Sequence, residues 1–439
     1  MNMNIETIVK GKYKETDQTK LFEFIDEREN QLTKGLQSLD RLIPASQTRS
    51  YTHAIHPYVA KFMPHFPNLF IRLLTKPNDI VLDPMCGSGT TLIDAMLNDR
   101  NSMGIDIDPL SRLITKVATT RVSESKLERL RDWEKKIEKD IINPNNYNLK
   151  IVHNHNIWFR DDVLATIIHI KTSINKIDDV DLQDIAKLSL SRIIKEVSNA
   201  DPRDLMPEIN HEQPVNENAD VFKSFSSSLN KTIEKISAFT ERINEYPNIN
   251  AKIVGNDARK IALKNDCVDL IVTSPPYAYA MDYVRIHKLS LFTSLGLSND
   301  ELKELSKEYV GTDRISVKDT FDFLHELKFL QPFVDELATK NKKRAMSLQK
   351  YLIDMYEITK ECARVLKPGG HFVYIIGNST LAKSHFSTSD ALQKMGELSG
   401  LDIILVHSRP YYARSMGNKR AAHSAVTKAD IFILFRKGK

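Results

Sequence analysis

Cysteine is scarce in this chain: three in 439 residues, Cys86, Cys267 and Cys362. They are far apart and odd in number, which argues against a disulfide framework and suits a reducing compartment. No Cys/His grouping has the spacing of a zinc site, so no metal is expected. Long apolar runs are also missing; none nears the roughly 20 residues a membrane span needs. The opening Met1-Asn2-Met3-Asn4-Ile5-Glu6 lacks a basic stretch followed by an apolar one, so no secretory signal is expected. Internal repeats and low-complexity segments are absent. Excess charge is small: the net +5 permits a polyanionic partner without demanding one. What remains is an ordinary globular composition, 41% hydrophobic and 27% charged, long enough for two or three domains.

Against that background four stretches carry chemistry. The first is Ile80-Val81-Leu82-Asp83-Pro84-Met85-Cys86-Gly87-Ser88-Gly89-Thr90-Thr91, an apolar strand, a glycine-rich turn and the start of a helix. Glycines let the backbone approach a ligand closely, and the helix start presents free amides. Two common ligands are disfavoured. Thr90 stands where a phosphate-binding P-loop has lysine, and Leu92 stands where a dinucleotide fingerprint has its third glycine. The second stretch, Met103 to Pro109, reads as a strand ending in acids. Asp106 lies about 20 residues after the glycines, where a nucleoside-binding sheet places the carboxylate that accepts from ribose hydroxyls. Asp108 reads as the cap of the next helix, with Pro109 at its first position. The third stretch, Ala251 to Arg259, is a strand with a polar end that includes Asp257 and Ala258.

The fourth is Val268-Asp269-Leu270-Ile271-Val272, a buried strand by its apolar run, ending in Thr273-Ser274-Pro275-Pro276-Tyr277. Two prolines fix their own φ and remove two donors, so the carbonyls stay free to accept. The Ser274 hydroxyl and the flat face of Tyr277 complete an acceptor-rich floor with a stacking wall. Such a pocket suits a planar ring carrying an exocyclic amine. A proline-ended strand whose serine caps the next segment would look the same at this length.

Taken together, the Asp83–Thr91 loop and Ser274–Tyr277 resemble the cofactor and catalytic motifs of S-adenosylmethionine-dependent, amino-directed DNA methyltransferases. Met85 departs mildly from the phenylalanine usual there. The resemblance implies that Asp83, Met85, Cys86, Gly87, Gly89, Thr90, Thr91, Asp106, Ile107, Asp257 and Ala258 bind S-adenosylmethionine, with Asp257 at the adenine amino group. It implies the same for His56 and Lys61, in His56-Pro57-Tyr58-Val59-Ala60-Lys61-Phe62, which resembles the cofactor wall of one subgroup. Ser274, Pro275, Pro276 and Tyr277 become the catalytic set. Serine at the first catalytic position is typical of enzymes that methylate cytosine N4; adenine-N6 relatives more often carry Asp or Asn. Many cytosine-N4 enzymes have the reverse motif order, so adenine stays an alternative. An RNA guanine-N2 enzyme and a catalytically silent DNA-recognition subunit are further ones. A carbon-5 cytosine enzyme is excluded, because no cysteine here follows a proline. The implied partners are double-stranded DNA and a cognate restriction endonuclease, and the implied location is the cytoplasm, at the nucleoid when on DNA.

The expected fold is α/β: a seven-stranded, mostly parallel, doubly wound sheet closing with one antiparallel strand, carrying an inserted helical subdomain. Residues 1–45 read as a charged helical arm with Leu21, Phe22, Phe24 and Ile25 on its apolar face. The first part of the core spans 46–120, a polar helical insertion spans 121–250 and a second core part spans 251–439, with a charged helical segment near 296–350. The insertion exceeds what adjacent strands need, and its polar loop 198–203 offers Asn199 and Arg203 for base edges or phosphates. Tyr279 and Arg285 after the catalytic motif, Arg344 in a basic run, and Arg414 in a basic loop complete the candidate DNA-binding residues.

Overall fold

The apolar runs that stop at polar tips become neighbouring strands of one sheet. A computed structural model describes residues 19–21, 31–32, 34–36, 48–59, 61, 63–140, 142–152, 154–209, 216–278, 283–316, 319, 321–382, 384–410 and 429–438. Its strands are β1 (Thr19–Leu21), β2 (Ile80–Asp83), β3 (Asn101–Ile105), β4 (Ala251–Gly255), β5 (Val268–Thr273), β6 (Leu366–Ile376), β7 (Ser379–Leu381), β8 (Ser384–Phe386), β9 (Leu401–Pro410) and β10 (Ala429–Lys437). Eight form one sheet in the order β1-β9-β10-β6-β5-β2-β3-β4; β7 and β8 make a separate small hairpin. Strands β2 to β6 pair in parallel. β10 runs antiparallel between β6 and β9.

The seven expected strands are therefore present, and the eighth corrects the reading of the arm. Thr19–Leu21 is an edge strand pairing antiparallel with β9, not part of a helix. Local charge pattern cannot anticipate an edge supplied from hundreds of residues away. Lys367-Pro368-Gly369-Gly370 has the residue types of a turn. It lies within β6, where the register shifts against β5 and Gly369 takes φ +76°.

Alternation along the strands divides the core. Leu82, Ile271, Phe372 and Tyr374 pack with Leu348, Leu352, Met355 and Ile358. Val81, Leu270, Val272 and Val373 pack with Phe66, Phe70 and Ile71. Successive side chains point to opposite faces, so continuous apolar runs are what a sheet covered on both faces requires. The covering helices include α1 (His65–Leu74), α2 (Thr90–Leu97) and α3 (Pro109–Thr119). Helix α1 accommodates Pro67 because it falls in the first turn, where the missing N–H has no intrahelical partner to lose.

Between β3 and β4 follow α4 (Glu124–Ile137), a short turn of helix at His155–Trp158, α5 (Asp161–Ile174), α6 (Val180–Ile193) and α7 (Val221–Ile243). Their apolar residues, such as Leu127, Ile167, Ile185 and Phe225, share one cluster with Ile93, Ile114 and Val117 of α2 and α3. Beyond β5 come α8 (Tyr283–Ser290), α9 (Asn299–Glu308), α10 (Gln331–Lys340), α11 (Lys342–Val365) and α12 (Thr388–Leu398). Among the described residues, no helix is long and apolar enough to cross a membrane.

The strand order has one reversal that matters. From β2 the chain steps outward to β3 and β4, then returns to place β5 on the other side of β2. Connections diverge at such a switch point and leave a crevice at the carboxyl ends of the strands. The β2–β5 register, Val81 opposite Leu270 and Leu82 opposite Ile271, puts the ends Asp83 and Thr273 side by side.

Candidate active site at the central strand tips

At that crevice lies an open cleft. Its floor and walls come from all four stretches singled out above: Met85, Cys86, Gly87 and Thr90 from the glycine-rich turn, Asp106 and Ile107 from the tip of β3, Asp257 and Ala258 after β4, and Ser274 and Pro276 after β5. Ser274 and Gly87 thus open on one shared space.

The glycine-rich turn is built for close approach. Gly87 has φ +50° and Gly89 φ +79°, backbone conformations that favour glycine. A Cβ on Gly87 would come within 3.1 Å of the Tyr58 ring, and one on Gly89 within 3.0 Å of the Thr115 side chain. Behind the turn, Asp83 is fully buried and accepts from Thr91 Oγ1 at 2.7 Å and from the Met85 amide at 3.1 Å. Burial lifts its pKa to about 6 against those hydrogen bonds. The Cys86 thiol is buried 3.6 Å from Thr115 Oγ1, and burial pushes its pKa up, so it is no nucleophile.

Asp106 faces the cleft with its carboxylate held by amides. Oδ2 accepts from the Gly87 N–H at 2.7 Å and Oδ1 from the Asp108 N–H at 2.9 Å. Burial first, then the nearby Asp108 charge, raises its pKa to about 7. Asp108 caps α3 as expected, accepting from Leu110 N–H at 2.7 Å, and also meets His287 Nδ1 at 2.6 Å. Asp257 is clamped by Arg259, whose Nε lies 2.9 Å from Oδ1 and whose Nη2 lies 3.1 Å from Oδ2. Burial works to raise the Asp257 pKa, but the Arg259 hydrogen bonds outweigh it and the net shift is downward. Arg259 also reaches Asp354 of α11 and Glu308 of α9, each at 3.1 Å.

Other expected residues stand at or behind the cleft in different ways. Lys61 lines it, donates to the His53 carbonyl, and is brought down to about 8 by burial. His56 does not line it. Its ring nitrogens meet the Pro57 carbonyl and Ser191 Oγ at 2.7 and 3.1 Å, and burial lowers its pKa to about 3. Asp83, Gly89 and Thr91 support the turn from behind rather than line the space. Pro275 is buried, and Tyr277 sits at the surface with 37% exposure.

The candidate DNA-binding residues are scattered. Asn199 is spent on its own loop: it donates to the Ile157 carbonyl at 3.2 Å and accepts from the Asn216 amide at 3.2 Å. Arg203 pairs with Asp201 at 2.6 Å and Arg285 with Glu208 at 2.5 Å. Arg344 sits in the first turn of α11, its amide bonded to Asn341. None of these four lines the cleft. Tyr279 and Arg414 lie outside the described residues.

Sequence reading missed Tyr309, Val310 and Ile358, which line the cleft from the helical segment after β5. Tyr58, Tyr283 and Arg259 also line it without having been assigned a site. Tyr58, on Gly87, offered a signal: an aromatic just upstream of a glycine that must stay small. Tyr309 offered none, since only tertiary packing brings it in.

The comparisons with known proteins decide the family. The DNA methylase family, of the N6/N4 amino type, matches residues 3–116 and 268–439. The chain belongs to it. It is 27% identical over 419 residues to the type II methyltransferase M.MvaI of Kocuria varians, covering 89% of this chain and 92% of that one. It is also similar to the type II methyltransferase M.BsoBI of Geobacillus stearothermophilus, 22% identical over 393 residues, covering 78% and 76%. M.MjaII of Methanocaldococcus jannaschii is 37% identical over 89 residues, 20% of this chain and 17% of that one. A solved S-adenosylmethionine-dependent methyltransferase of Methanosarcina mazei covers 84% of this chain and 97% of its own at 10% identity, with a TM-score of 0.31. The DNA methylase draws its methyl group from S-adenosylmethionine, and the cleft fits that cofactor. It has a glycine turn without the lysine for phosphate, a cleft-lining carboxylate in Asp106 that accepts from backbone amides, and a second carboxylate in Asp257.

Proposed function

We propose that this DNA methylase modifies the exocyclic N4 of cytosine in a base turned out of the duplex, as the modification arm of a type II restriction-modification system. The observation that carries the reading is that Ser274, ahead of two prolines, opens on the same cleft as Gly87 and Asp106. Asp106 is suited to the ribose hydroxyls and Asp257 to the adenine amino group of S-adenosylmethionine. Once bound, the cofactor supplies a methyl group on a positively charged sulfur.

The rest is what the chain's own residues do. An exocyclic amine is a poor nucleophile because its lone pair is delocalised into the ring. Ser274 Oγ and the Pro275 carbonyl accept from the NH₂ and localise that lone pair toward the donor side. Alignment in one cleft supplies much of the remaining acceleration. The exposed Tyr277 ring offers the base a stacking face, which offsets part of the few kcal/mol that flipping costs. Serine at position 274 favours cytosine over adenine. The helices between β3 and β4 are assigned to target recognition, and a cognate endonuclease and a cytoplasmic, nucleoid-associated location complete the proposal.

The test is mass spectrometry of nucleosides from duplex DNA incubated with enzyme and S-adenosylmethionine. N4-methylcytosine is expected. N6-methyladenine would overturn the choice of base, and methylation of tRNA guanine with unmodified DNA would overturn the substrate.

A further inference from the structure

Tyr309 is a polar cleft residue that no motif accounts for. It follows directly on α9, the helix Asn299–Glu308, at the cap position. Its ring lies nearly parallel to that of Tyr283, 15° apart with centroids at 6.3 Å, and Tyr283 in turn stacks on Tyr58 at 6.3 Å. All three line the cleft. Three distant segments thus deliver one row of aromatic faces, beginning at the ring that lies over Gly87.

Two features point to a ligand. The Tyr309 hydroxyl is shut away from solvent and, among the described residues, makes no well-formed hydrogen bond, the Asp108 carboxylate being the acceptor that reaches it. A buried hydroxyl without a well-formed bond is costly, of a kind that native structures usually satisfy. Asp106 and Asp108 are the acidic groups whose fields reach it, so it stands beside the tip of β3, where Asp106 holds its carboxylate. The segment is also fastened in place. Glu308, the residue before Tyr309, pairs with Arg259 at 3.1 Å, and the same guanidinium clamps Asp257. One arginine therefore ties the end of α9, which carries Tyr309, to the Asp257 carboxylate.

We propose that Tyr309 is a cofactor-binding residue: its ring covers the ribose end of S-adenosylmethionine, its hydroxyl gains a partner there, and the Arg259–Glu308 pair positions it. This rests on the proposed use of the cleft and adds a specific contact from the helical segment after β5. A ribose carries hydroxyls that both donate and accept, which a lone phenol beside a carboxylate can satisfy.

Isothermal titration of the full chain with S-adenosylmethionine, without DNA, separates the two ideas. Tyr309→Ala is expected to weaken binding about tenfold or more and Tyr309→Phe about threefold, the latter keeping the ring and the packing. Glu308→Gln is expected to weaken it about twofold to threefold. With cofactor saturating, kcat of Tyr309→Phe stays within about twofold of wild type, so the loss falls on cofactor KM. Wild-type affinity in both Tyr309 variants would overturn the inference while leaving the cleft assignment standing. A loss confined to kcat or to the KM for DNA would also overturn it, placing Tyr309 on the target side. No binding by the wild-type chain would remove the cleft assignment and this inference together.

Discussion

The strand tips and the helical segment after β5 both wall the cleft, yet they were read from sequence with very different success. At the tips, each residue's role follows from backbone geometry. Gly87 and Gly89 hold positive φ, Asp106 ends a strand beside them, and Ser274 precedes two prolines. In the helical segment, Tyr309 and Val310 reach the same space from the end of α9, where Glu308 pairs with Arg259. The difference teaches that local chemistry is written locally, while the wall opposite depends on how distant helices dock.

The largest expected effect sharpens the tip side of that comparison. Ser274→Ala should reduce methyl transfer on the order of 10²-fold, comparable to losing one preorganised hydrogen bond at a reacting group. Cofactor affinity should hold within about twofold, as read by titration. A parallel loss of cofactor binding would mean that Ser274 shapes the cleft rather than the chemistry.

Next comes pH. Asp106 rises from its ordinary 3.8 to about 7 because it is buried beside Asp108. An acid with a raised folded pKa holds its proton more tightly folded than unfolded, so its ionisation subtracts stability as pH rises between about 4 and 7. Cofactor binding runs the other way. The ionised carboxylate is the acceptor, so affinity for S-adenosylmethionine should fall toward tenfold per unit as pH drops below about 7 and level off above it. Asp106→Asn should weaken binding and flatten that profile; an unchanged profile would contradict the assignment.

Such legibility has physical limits. The seven principal strands were visible because both faces of the sheet are covered, so their runs are largely apolar, as in Leu270-Ile271-Val272. The edge strand Thr19–Leu21 was not, because three residues pairing with β9 leave no pattern of their own. His56 sat in the right segment but turns to Ser191, a partner 135 positions away. Asn199 had the right chemistry for reading bases, but its amide is used to hold its own loop to Ile157 and Asn216. Residue type predicts what a side chain can do; long-range packing decides where it does it.

A smaller effect tests the glycine turn itself. Gly89→Ala places a Cβ within 3.2 Å of the Thr115 backbone at φ +79°, and should cost about 1–3 kcal/mol, seen as a lower Tm. An unchanged Tm would show that the turn can relax. The smallest effect belongs to the helical side. Arg285→Ala, losing the charge now paired with Glu208, should leave cofactor binding alone and lower the slope of log affinity for DNA against log salt by about one. An unchanged slope would remove Arg285 from the DNA surface.

The central claim is that donor and acceptor meet in one cleft at the switch point between β2 and β5. A crystal structure with S-adenosylhomocysteine tests it most directly. The account predicts the ribose at Asp106, the adenine beside Asp257, and the sulfur facing Ser274 across open space. A cofactor bound elsewhere, or with its sulfur turned away from Ser274, would contradict it.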